Sequence, residues 1–73
     1  MQLQRNKRLA PLQSGQVWKI EDGYLQITEL GRHFIHFKML RQPDQIVEST
    51  RMIWLGALVN FLSQNQAELV VPV

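Results

Sequence analysis

Seventy-three residues without a cysteine make one small domain near the lower size limit for unaided stability, and they exclude disulfides and thiolate-bound zinc. Lysine and arginine outnumber aspartate and glutamate by 8 to 6, a formal charge of +2 that permits a polyanionic partner without requiring one. No apolar run is long enough to span a bilayer, the polar start from Met1 to Arg8 carries no apolar signal region, and a cysteine-free chain fits the cytoplasm.

Residues 1–14 read as an N-terminal arm, basic at Arg5, Lys7 and Arg8 and stopped by Pro11; residues 15–73 read as a single domain. Within it, Gln16 to Leu40 holds two turn signals, Asp22-Gly23 and Leu30-Gly31-Arg32, between three alternating apolar segments. Asp-Gly between β-rich runs favours a two-residue type I′ turn. That turn closes Glu21 against Tyr24, sets Ile20 opposite Leu25 and Trp18 opposite Ile27, and puts these four on one face. Val17, Lys19, Glu21, Tyr24, Gln26 and Thr28 then occupy the other.

The second hairpin is decided by a conflict. A two-residue Gly31-Arg32 turn would bury Lys38 and expose Ile35, Phe37 and Met39. A slip of one residue reverses both faces, so the buried face should set the register. An odd-numbered loop, Leu30 to Arg32 or Glu29 to His33, is therefore expected, with Ile27 opposite Ile35 and Leu25 opposite Phe37. Phe34, His36 and Lys38 become the outward row. On this register Gln26 lies between Lys19 and His36, Tyr24 between Glu21 and Lys38, and Thr28 between Val17 and Phe34.

Arg41 to Gln45 is polar and turn-prone. Ile46 to Met52 alternates loosely and suggests a short fourth strand at an edge. From Ile53 to Gln64, Trp54, Leu55, Leu58, Phe61 and Leu62 recur at helical spacing, with Asn65 as a left-handed stop. Ala67 to Val73 closes the chain as a strand with Leu69 and Val71 inward, which Pro72 either confines to an edge or ends. The expected core is Trp18, Ile20, Leu25, Ile27, Ile35, Phe37, Met39, Leu58, Phe61, Leu62 and Leu69.

Short twisted strands in the order β-β-β-(β)-α-β tend to curl into a partly open antiparallel barrel, so the expected class is mainly β with one helix. The run Gly15-Gln16-Val17-Trp18-Lys19-Ile20 through Asp22-Gly23-Tyr24, then His36-Phe37-Lys38, Phe61-Leu62 and Ala67-Glu68-Leu69-Val70, resembles small uncharacterised bacterial proteins with an SH3-like barrel. The resemblance covers roughly residues 15–71 and implies a fold rather than an activity. Gly15 to Gly23 is also similar to the KOW motif of RNA-associated barrels, whose remaining positions this chain lacks. The acidic, tyrosine-rich signature of eukaryotic SH3 peptide binders is missing too, so no proline-peptide groove is implied.

For function, the residues point away from catalysis. Ser14, Ser49 and Ser63 stand in no nucleophile context, the carboxylates are scattered, and no glycine-rich phosphate loop is present. His33 and His36, three apart on a strand, point to opposite faces and suit no shared metal, so no metal and no cofactor is expected. Two binding surfaces remain. Met52, Ile53 and Trp54 are more apolar surface than one short helix buries on one side, and with the edge strand from Leu69 to Val73 they suit a protein partner or a second copy of the chain. The bland alternative buries Trp54 against Leu3, Leu9 and Leu12. The other surface, Lys19, Tyr24, Phe34, His36 and Lys38, combines rings with cations and suits single-stranded or non-specific nucleic acid, with the arm as a tether. The leading expectation is a non-catalytic protein-binding module; nucleic-acid binding is the alternative, and neither a membrane nor a small-molecule substrate is expected.

Overall fold

Alternating apolar side chains force Val17 to Leu40 to pair as extended chain, because only pairing satisfies the backbone while every second side chain is dry. The structure, a computed structural model, describes residues 11–72. It contains β1 (Val17–Ile20), β2 (Gly23–Leu30), β3 (Phe34–Leu40), β4 (Arg51–Trp54), α1 (Leu55–Gln64) and β5 (Glu68–Val71). The strands form one antiparallel sheet in the order β4-β3-β2-β1-β5, with α1 packed on one face. This is a small, mainly β domain.

The sheet does not close into a barrel. Strands β4 and β5 are its two edges, each four residues long, and they pair with β3 and β1 only. The helix covers one face of the sheet: Leu58 and Leu62 are fully buried against Trp18, Ile20, Leu25, Ile27, Ile35 and Phe37, with Met39, Phe61 and Leu69 packed around them. Eight of the eleven expected core residues are buried, Met39, Phe61 and Leu69 are only partly so, and Val17 and Leu40 are buried without having been expected there. Leu12, Ile53, Leu55 and Ala67 join the margin of the core.

Both hairpins keep the expected faces and change the expected partners. Trp18 pairs with Leu25, not Ile27, and Ile20 pairs with Gly23, so the turn is centred on Glu21-Asp22. Neither central residue has a positive φ, which rules out the type I′ turn; Gly23 takes up the distortion at φ 143°. A slip of two residues leaves every side chain on its own face, so the apolar pattern does not oppose it. Contact with β3 does favour it: a Cβ at Gly23 would lie 2.5 Å from the Leu40 carbonyl oxygen.

In the second hairpin Ile27 pairs with Phe37 and Leu25 with Met39, again two residues from the expected partners. The loop is not odd-numbered. The Gly31 N–H donates to the Phe34 carbonyl at 2.9 Å, leaving Arg32-His33 as a tight turn, and Leu30 pairs with Ile35. The change of parity occurs inside β2, at a bulge between Ile27 and Glu29 that leaves Thr28 without a partner. The conflict read from the sequence is real, and the strand resolves it rather than the turn.

Three boundaries also move. The fourth strand is Arg51–Trp54, and Ile46 to Thr50 is irregular and mostly exposed. Ile53 and Trp54 belong to this strand because they pair with Ile35 and Phe34, so the helix begins at Leu55, whose N–H donates to the His33 carbonyl at 2.8 Å. At its other end Asn65 stays helical at φ −86°, its Nδ2 donating to the Phe61 carbonyl, and Gln66 takes the left-handed position at φ 51°. The Gln66 N–H to Ser63 and Ala67 N–H to Leu62 bonds make this a Schellman ending. In β5 Leu69 faces inward beside Trp18, but a bulge places Val71 beside Val17 on the other face, so Val71 is not a core residue.

The basic positions Arg5, Lys7 and Arg8, and Leu3 and Leu9, lie outside the described residues. From Pro11 onward the chain is tied to the domain. Gln16, 2 % exposed, accepts at Oε1 from the Gln13 N–H and the Trp18 indole N–H and donates from Nε2 to the Pro11 carbonyl. The Ser14 hydroxyl accepts from the Leu30 N–H.

Two substitutions should move stability in opposite directions. Gly23→Ala should cost about 2 kcal/mol or more, from strain at positive φ and the clash with Leu40. Gln66→Gly should gain about 0.5–1 kcal/mol by relieving the left-handed side chain. Thermal unfolding of both variants checks the pair; equal midpoints would contradict the two backbone assignments.

Candidate interaction face

The register lays out the side of the sheet away from α1 as cross-strand rows. One runs Glu68, Lys19, Tyr24, Leu40; the next Val71, Val17, Gln26, Lys38; then Glu29, His36, Met52; and last Phe34 and Trp54. The sites expected from the sequence are thus partly merged and partly split. Phe34, His36 and Lys38 do form one outward row along β3. Lys19 and Tyr24 sit opposite each other at the far corner, and Tyr24 neighbours Leu40 rather than Lys38. Gln26 lies between Val17 and Lys38, and the bulge leaves Thr28 with no cross-strand partner. Val17 and Leu40 are buried despite their outward position, so the wet part of the face is broken in its middle.

The apolar trio is divided by strand alternation. Met52 and Trp54 point outward, 58 % and 61 % exposed, whereas Ile53 points inward beside Ile35 and packs on the core. Trp54 meets the ring of Phe34 with centroids 4.1 Å apart and planes tilted by 34°. Met52 lies opposite His36. The result is a contiguous patch of Phe34, Trp54, His36 and Met52 at the β3–β4 corner. From the sequence each half belongs to a different surface, because a helical Trp54 has no reason to meet Phe34.

Two of the three basic positions on this face, Lys19 and His36, stand beside a carboxylate, while Lys38 faces Gln26. Lys19 lies opposite Glu68 in the β1–β5 register, and both line a groove of about 450 Å³ together with Glu21, with neither carboxylate within ion-pair distance of the lysine. His36 Nδ1 lies 3.8 Å from Glu29 Oε1, both groups well exposed, a contact that water and salt weaken. These acidic neighbours are what the sequence reading missed, since Glu68 reaches Lys19 only through the β1–β5 pairing. Among the described residues no group of three or more His, Asp or Glu side chains is placed to hold a metal ion. None of their helices is long and apolar enough to cross a membrane.

Comparison of the chain with family models, with curated proteins and with solved structures finds no match.

The two tryptophans differ enough to be separated by fluorescence. Trp18 is 2 % exposed and hydrogen-bonded to Gln16, whereas Trp54 is 61 % exposed. In Trp54→Phe the remaining emission should be blue-shifted and resist acrylamide, while the unsubstituted protein should show a second, readily quenched component. Ready quenching of the variant would contradict the burial of Trp18.

Proposed function

We propose that this chain is a non-catalytic binding module whose partner is a protein, either a different chain or a second copy of itself. The observation that carries the reading is the exposed corner of Trp54, Met52, Phe34 and His36 on an edge of the sheet. Exposed tryptophan and methionine side by side, rimmed by polar groups, are what the centre of a protein interface is made from. Their exposure contributes nothing to the core, which is complete without them. An SH3-like origin for the fold belongs to the same proposal: the return of β5 to pair with β1 after a meander supports it, while the open edges depart from a barrel. A cytoplasmic setting is proposed on the cysteine-free composition.

A second reading, single-stranded or non-specific nucleic-acid binding, draws on Lys19, Tyr24, Phe34, His36 and Lys38 sharing one side of the sheet. Glu68 beside Lys19 and Glu29 beside His36 oppose it, because a phosphate chain entering there would meet a carboxylate at both of these positions. The two readings separate by experiment. Met52→benzoylphenylalanine, photolysed in cells expressing the full chain, should give protein adducts, and Asn60→benzoylphenylalanine on the helix should give few. Adducts to nucleic acid, or equal yields from both positions, would overturn the protein reading. Fluorescence anisotropy with a mixed-sequence oligonucleotide should show no salt-sensitive binding; a steep loss of binding with salt, abolished by Lys19→Glu with Lys38→Glu, would favour the second.

A further inference from the structure

The free side of β4 is described by its hydrogen-bond phase. The Leu55 N–H donates to the His33 carbonyl, which extends the β3–β4 register by one pair and marks it as hydrogen-bonded. Bonded and non-bonded pairs alternate along an antiparallel ladder, so Ile53–Ile35 and Arg51–Phe37 are bonded, and Met52–His36 and Trp54–Phe34 are not. The N–H and C=O of Met52 and the N–H of Trp54 therefore point away from β3, off the sheet; the Trp54 carbonyl lies at the helix N-cap and serves the first turn. The residues that expose their side chains are the ones that expose their backbone.

The other edge is guarded and this one is not. Strand β5 carries a bulge and runs into Pro72, both of which discourage a further strand. Strand β4 has no proline, no bulge and no charge on its outward side. On its inward side stands Arg51, exposed, at the wall of a hollow of about 170 Å³ formed with Phe37, Met39, Ile53, Leu58 and Phe61. Among the described residues no carboxylate lies within ion-pair distance of Arg51.

We infer that β4 accepts an extended segment of a different protein as a sixth strand, with apolar residues outward over Met52 and Trp54 and an acidic residue inward facing Arg51. This rests on the protein-binding reading above and names its mode and partner class. Charge decides against a second copy as the occupant: antiparallel β4–β4 pairing about Met52 would set each Arg51 opposite the other copy's Ile53 and leave the two arginines as diagonal neighbours on the inward side with no carboxylate between them, whereas an Asp or Glu opposite Arg51 is complementary.

The test uses the full chain labelled with nitrogen-15 and blocked seven-residue peptides, valine at outward positions and leucine-glutamate-leucine at inward ones. Binding should shift the Met52 and Trp54 amides and slow their hydrogen exchange. Replacing the peptide glutamate by lysine should weaken binding at least about fivefold, and Arg51→Glu should reverse that preference. Met52→Pro removes an outward N–H without touching the β3 ladder and should abolish binding while the sheet signals persist. No shift at these amides, or equal affinity for both peptides, would overturn the inference but leave the cross-linking result intact. Met52 and Trp54 amides already protected in the free protein would overturn it as well, in favour of a second copy if light scattering gives a dimer, and of the chain's own residues 1–10 if it gives a monomer.

Discussion

A single unpaired residue, Thr28, keeps both sides of this sheet chemically distinct. The tight turn at Arg32-His33 dictates that Leu30 meets Ile35 and Glu29 meets His36. Continued unbroken, that register would bring Ile27 opposite Lys38 and drive the lysine toward Trp18 and Leu58, burying a charge with no partner. The bulge between Ile27 and Glu29 shifts the ladder by one, so Ile27 meets Phe37 instead. Core and interaction face are two consequences of the same shift: Ile35 and Phe37 become dry only because Phe34, His36 and Lys38 become wet.

Hydrophobic alternation determines a strand's register only up to steps of two. The faces of Trp18, Ile20, Leu25, Ile27, Ile35 and Phe37 could therefore be read from the residues alone, while the partners of Trp18, Ile20, Leu25 and Ile27 lay two positions away from expectation and that of Ile35, beyond the bulge, three. What settles the remaining choice is local and backbone-made: the fit of Gly23 against the Leu40 carbonyl in one hairpin, the Gly31–Phe34 bond in the other. The Asp22-Gly23 pair is a good turn signal, but it marks the neighbourhood of the turn and not its centre. At the helix end, the residue best suited to a left-handed position, Asn65, is held helical by its own side-chain bond to Phe61, and Gln66 takes the strain.

The candidate site was legible in pieces. Met52 and Trp54 stand out as apolar side chains with no obvious burial, and Phe34, His36 and Lys38 as an outward row. Their union depends on Ile53 and Trp54 being strand rather than helix. That outcome comes from tertiary pairing, since the apolar spacing of Trp54, Leu55 and Leu58 suits a helix just as well. Pairing with Ile35 and Phe34 extends the sheet over two residues that a helix would have claimed, and it stacks Trp54 on Phe34. The carboxylates beside Lys19 and His36 were equally hidden, because they arrive from β5 and from beyond the bulge.

Cross-strand nuclear Overhauser contacts between β2 and β3 measure the bulge most directly. Contacts pairing Ile27 with Phe37 and Leu30 with Ile35 in the same molecule are expected, since only a one-residue insertion between them satisfies both. One continuous register, with Ile27 beside Lys38, would contradict it and dissolve the distinction between the two faces.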